Sequence, residues 1–86
     1  MKELERTLKA LANRRRLAIV QHLKKNREAK VSDIAGAIKL SVKSTSRHLS
    51  ILAAADILER DQRSLEVFYY LSSQPHSAAR YVISIL

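Results

Sequence analysis

Cysteine is missing from the 86 residues, glycine and proline appear once each, and three tyrosines and one phenylalanine are the only aromatic rings outside histidine. Without thiols there are no disulfides and no thiolate metal sites, which fits a reducing compartment. The single glycine, Gly36, falls inside a helical pattern, so no Gly-rich loop is present to cradle phosphates. Adding the lack of a metal-ligand cluster, the chain reads as a non-enzyme without a cofactor. Phe68, Tyr69, Tyr70 and Tyr81 sit in one strand-like run and one terminal segment, which does not supply the stacking platforms of sequence-specific RNA readers. No apolar run approaches a membrane span, and Met-Lys-Glu-Leu-Glu lacks the apolar segment of a signal peptide, so a cytoplasmic location is expected.

Acids are scarce as well. Sixteen Lys and Arg stand against eight Asp and Glu, a formal charge of +8 that implies a polyanionic partner. Residues 1–30 hold ten cations and three acids, residues 31–55 three cations and one acid, and residues 56–86 three cations and four acids. The C-terminal third is therefore the part least suited to face a polyanion. A chain this short makes one domain with a limited core, and such domains often need a partner subunit.

What is present centres on residues 41–52, Ser-Val-Lys-Ser-Thr-Ser-Arg-His-Leu-Ser-Ile-Leu. At 100° per residue Val42, Thr45, Leu49, Leu52 and Ala53 share a side that can dock on a core, while Lys43, Ser44, Arg47 and Ser50 share the other. No acid occurs between Asp33 and Asp56. Short hydroxyls and long cations without a carboxylate suit a helix that enters a DNA groove. Ser32 is a candidate cap for a preceding helix over residues 33–38, with Ile34, Ala35 and Ile38 inward, and Val31 a single-bridge strand residue before it. Lys39-Leu40-Ser41 then forms the turn, with Ser41 as the second cap. Short helix, tight turn and polar-faced helix together predict a helix-turn-helix.

The flanks complete a winged helix. Leu4, Leu8, Leu11 and Ala12 make one face of a first helix. Asn13 caps a second helix whose apolar side is Leu17, Ile19, Val20 and Leu23, and residues 24–30 read as a solvated turn. Arg14, Arg15 and Arg16 occupy the helix end where the macrodipole disfavours cations. Arg16 is assigned a tie to a neighbouring element; for Arg14 and Arg15 phosphate contact and a structural role both stay open. Asp56 is placed at a left-handed helix end. Residues 57–62 and 65–71 read as two strands joined at Arg63-Ser64, a wing able to lay Arg60, Gln62 or Arg63 along DNA. Pro75 opens a last helix over 75–86, with Ser72 and Ser73 as candidate caps. Its Tyr81, Val82, Ile83, Ile85 and Leu86 spread around most of the circumference. With Leu4 and Leu8 they suggest a homodimer seam built from the first and last helices.

These runs, Leu11 to Val20, Val31 to Ala35, Leu40 to Leu52 and Tyr69-Tyr70-Leu71, resemble in unbroken order the ArsR-type winged-helix repressors of prokaryotes, with Ser46-Arg47-His48-Leu49 the most specific segment. The resemblance implies a mainly α, α+β fold of about five helices with a two-stranded hairpin wing. Residues 1–86 would then be one winged-helix DNA-binding domain, acting as a dimeric repressor on an inverted-repeat operator of double-stranded DNA. The expected DNA-contacting set is Ser41, Val42, Lys43, Ser44, Ser46 and Arg47, joined by Arg63 of the wing; the expected seam is Leu4, Leu8, Tyr81, Val82 and Ile85. Val42 replaces a polar residue common in the family and points to a thymine methyl. Lys39 replaces the glycine usual at the turn, at a cost of about 1 kcal/mol if held left-handed, and Thr45 stands where an aliphatic is common. The cysteine metal site of many members is absent, with Lys30 and Ser32 in its place. His22, His48 and His76 are scattered and read as surface or packing residues. The competing reading is a winged helix used for protein association without DNA, which would put apolar residues on the outer face of 41–52, where only Ile51 is sizeable.

Overall fold

Asn13 stops one helix and starts the next. In the computed structural model, which describes residues 1–86, its side chain accepts bonds from the backbone N–H groups of Arg15 and Arg16 at 3.0 and 3.2 Å. Two donors that the helix leaves open are thereby satisfied. The cap separates α1 (Lys2–Leu11) from α2 (Arg14–Asn26). The remaining elements are β1 (Glu28–Lys30), α3 (Val31–Ile38), α4 (Val42–Ala54), β2 (Leu58–Arg63), β3 (Glu66–Leu71) and α5 (Ser77–Ile85). No helix is long and apolar enough to cross a membrane.

Ile19, Val20 and Leu23 of α2, Ile34 of α3 and Leu49 and Leu52 of α4 are buried together with Ile57, Leu58 and Tyr69 of the sheet region. Each large aliphatic removed from water contributes about 1.5–3 kcal/mol before entropy is counted. The two helices of the helix-turn-helix end alike. After α3, Lys39 takes φ 56° and ψ 50°, and Leu40 N–H donates to Ala35 O at 3.0 Å. After α4, Asp56 takes φ 59°, and Ile57 N–H donates to Leu52 O at 3.0 Å. These are Schellman closures with a non-glycine residue in the left-handed position. The second carries its apolar contact, since Leu52 and Ile57 are both fully buried.

The fold is the expected winged helix-turn-helix, mainly α with a β wing, and its sheet has a third strand. The order is β1-β3-β2, antiparallel throughout, with Ala29 opposite Tyr69 and Tyr69 opposite Arg60. Residues 24–30 are thus not a solvated turn. Lys24, Lys25 and Asn26 finish α2, and Lys24 Nζ donates to Ile83 O at 2.9 Å, closing the C-terminal end of α5. Val31 opens α3, so Ser32 is not its cap; Lys30 precedes the helix without a side-chain bond. The wing tip moves by one residue, to Ser64-Leu65, with Ser64 at φ 57° in the position a type II′ turn gives to glycine. Helix α5 begins at Ser77 rather than Pro75. Its cap is His76, whose Nδ1 accepts from Ala78 N–H at 3.0 Å, while Ser72 Oγ is occupied by Gln74 N–H in the preceding turn.

Candidate nucleic-acid interface

Helix α4 is fixed from below and free above. Ser41 Oγ accepts from Ser44 N–H at 3.1 Å, starting the helix at Val42. Thr45, Leu49 and Leu52 are fully buried against the core. The same periodicity turns Val42, Lys43, Arg47 and Ser50 outward, with Ser44 and Ser46 half-buried at the margins. Val42 is 53% exposed, so the docking side begins at Thr45, and Val42 belongs to the outer face. No acid lies on this helix, and neither Lys43 nor Arg47 has a partner within the chain. A rod of hydroxyls, two free cations and the exposed side chains of Val42 and Ile51 can approach phosphates without repulsion and present donors to base edges.

Arg16 holds this rod in place. Its Nε donates to Ala10 O at 2.6 Å, one terminal nitrogen to Lys9 O at 3.2 Å and the other to His48 Nδ1 at 3.3 Å. One guanidinium thus joins the end of α1, the start of α2 and the middle of α4, as the tie assigned to Arg16 requires. Arginine is always a donor, so His48 accepts through Nδ1 in its neutral form. Burial, aided by the charges of Arg16 and Arg15, holds the His48 imidazole below its ordinary pKa.

Arg63 departs from the expectation of a free cation on the wing. The register places Glu28, Lys30, Asp61, Arg63, Glu66 and Phe68 on one face of the sheet. There Arg63 makes a bidentate pair with Glu28 at 2.7 and 2.8 Å and a third bond to Asp61 at 2.9 Å, with its charge 4.4 Å above the Phe68 ring. The hydrogen bond from Arg63 lowers the Glu28 pKa, and Glu28 and Asp61 in turn hold the guanidinium charged. Lys30 pairs with Glu66 at 2.8 Å on the same face. Arg63 is therefore a clasp across the sheet. Arg60 and Gln62 alternate to the opposite face and stay exposed, which leaves Arg60 as the unpaired cation of the wing. The pairing of Glu28 with Arg63 spans 35 positions and carries no sequence signal until β1 is placed beside β3.

The residues expected at a seam lie on α1 and α5, which pack side by side. Leu8, Tyr81 and Ile85 are exposed, the last two by about two thirds, while Leu4 and Val82 are half-buried. Val82 packs against the core, so it contributes an edge of the apolar strip rather than its crest.

Comparison with known proteins agrees with this geometry. The family model described as bacterial regulatory protein, arsR family, matches residues 13–60, from the Asn13 cap through α4 into the wing. No curated protein sequence matches significantly. Among solved structures, HlyU from Vibrio cholerae N16961 is 30% identical and superposes with a TM-score of 0.84 over 98% of this chain and 87% of its own. The homodimeric winged helix-turn-helix DNA-binding domain Mb0332 from Mycobacterium bovis is 27% identical, with a TM-score of 0.85 over 98% and 75%. The transcriptional repressor PagR of Bacillus anthracis is 25% identical, with a TM-score of 0.81 over 99% and 94%. The chain belongs to the arsR family of bacterial regulatory proteins, a family of DNA-binding transcriptional regulators rather than enzymes.

Proposed function

We propose that the chain is a homodimeric repressor that binds an inverted-repeat operator through α4 and that residues 1–86 form one DNA-binding domain. The observation that carries this is the acid-free outer face of α4, held rigidly by Ser41, Thr45 and Arg16 and bearing no internal partner for Lys43 or Arg47. Ser41, Val42, Lys43, Ser44, Ser46 and Arg47 then make the base and phosphate contacts, with Arg60 in the place first given to Arg63 on the wing. Leu4, Leu8, Tyr81, Val82 and Ile85 close the dimer, in line with the homodimeric state of Mb0332 and the repressor role of PagR. Protein association without DNA is disfavoured by the composition of the same face, where Ile51 alone among large apolar side chains accompanies Val42.

The test is a titration on a duplex recovered by selection from random-sequence DNA at near-physiological salt. Arg47→Ala is expected to lower affinity by about 1–3 kcal/mol and to relax discrimination at one base step. An unchanged isotherm on that duplex removes α4 from the DNA.

A further inference from the structure

We infer that the groove between α2 and the end of α3 is a second seat for the DNA backbone, in which Arg14, Arg15 and Lys25 hold phosphates flanking the bases read by α4. The inference rests on the reading of α4 as the helix that enters the major groove.

The groove is open to solvent, about 480 Å³ in volume, and lined by Ala18, Ala37, Ile38, Gln21 and His22 beside the three cations, with no acid among them. Arg14, Arg15 and Lys25 are exposed and make no ion pair or side-chain hydrogen bond within the chain. In this they resemble Lys43 and Arg47 of α4 and differ from the four cations that carry a carboxylate partner. Arg6 faces Asp56, Lys9 faces Glu5, Lys30 faces Glu66, and Arg63 is held by Glu28 and Asp61. Helix α2 has no acid along its whole length and places arginines in the first turn, where they cost stability.

Position decides the partner. Ile38 in the lining leads directly through Lys39 and Leu40 into the Ser41 cap of α4, so the groove borders the turn from which α4 emerges. Arg16, next to Arg15 in the first turn of α2, donates to His48 Nδ1 of α4 at 3.3 Å. A helix in a major groove about 12 Å wide has a phosphate strand along each flank. A cationic wall beside the start of that helix therefore faces one of those strands. The wing does not supply an equivalent wall, because β2 and β3 carry Glu59, Asp61 and Glu66 against Arg60 and Arg63, and the tip presents Leu65, 95% exposed. An open trough whose lining carries three cations and no acid suits a polyanion passing along it better than a small ligand, which needs enclosure and buried donors.

The experiment compares the wild-type chain with Arg14→Ala/Arg15→Ala by fluorescence anisotropy over a series of salt concentrations. Two lengths of a duplex recovered from random DNA are used, one with about a helical turn of extra flank on each side and one trimmed to the base pairs under α4. The double variant is expected to bind the long duplex about tenfold or more weakly, with a log-log salt slope shallower by about two to four for a dimer. Trimming should cost the wild type a similar factor and the double variant little. Arg63→Ala should leave the slope unchanged. Both side chains of the double variant are exposed and unpaired, so its circular dichroism should match the wild type. A wild-type slope in the double variant, while Arg47→Ala still weakens binding, overturns the second seat and leaves the α4 reading intact. Silence in both variants overturns the two together. Competition by millimolar inorganic phosphate with an unchanged slope in the double variant assigns the groove to a small anion, and likewise overturns the proposal.

Discussion

Thr45 is fully buried on the core side of α4, and its hydroxyl has no hydrogen-bond partner. A hydroxyl buried without a partner is worth about 1–3 kcal/mol of lost solvation, whereas an apolar side chain of the same shape avoids that loss. Thr45→Val is therefore expected to raise stability by about 1 kcal/mol in a urea melt, with DNA affinity unchanged because position 45 faces the core. A destabilised variant would show that the hydroxyl is satisfied in solution. The amphipathic pattern alone indicates that position 45 faces inward; that its oxygen finds no partner depends on the packing of α2, α3 and α4 around it. Lys39 and Asp56 were legible in the same partial way. Their place after a helical run marks a left-handed residue, and the angles of 56° and 59° agree. Arg27 and Ser64 also adopt positive φ, at 58° and 57°, and nothing local announces them, since β1 and the wing tip are set by partner strands.

At the level of elements, helix caps of Asn or Ser and the face of a helix are legible in the sequence, whereas strand partners and an unusual cap are not. The caps Asn13 and Ser41, the face of α4 and the tie of Arg16 all follow from neighbours within one or two turns or from a single misplaced charge. The strand Glu28–Lys30 escaped because only Ala29 is buried in it, and two charged neighbours disguise a three-residue ladder as a solvated turn. The start of α5 is hidden in the sequence because His76, a rare capping residue, supplies the cap in place of a serine. The junction of α2 with α4 makes a pH dependence. His48 is held below its ordinary pKa of 6.5, so the unfolded chain binds a proton that the folded chain refuses. This contribution to stability is complete above pH 6.5 and declines as pH falls through 6.5 toward the lowered value. Urea midpoints measured from pH 8 to pH 5.5 should fall more steeply for the wild type than for His48→Gln, whose side-chain oxygen can still accept from Arg16. Parallel curves would mean that His48 titrates as it does in the unfolded chain.

For the whole molecule, the apolar strip of α1 and α5 and the cationic surface of α2, the turn and α4 are distinct surfaces, to which the proposal gives separate tasks. The strip has no cover within one copy, while Tyr81 and Ile85 stay about two thirds exposed. Pairing two strips by a two-fold axis would hide them, and on the proposed reading that dimer must hold its two copies of α4 about one duplex turn apart, near 34 Å. The most direct measurement is the sedimentation of the chain on a selected duplex, beside Val82→Asp/Ile85→Asp. The wild type should form a complex of two chains per duplex in a single step, and the variant should sediment as a monomer with greatly weakened binding. A wild-type complex holding one chain per duplex, or a variant that binds as a dimer with undiminished affinity, would contradict the account.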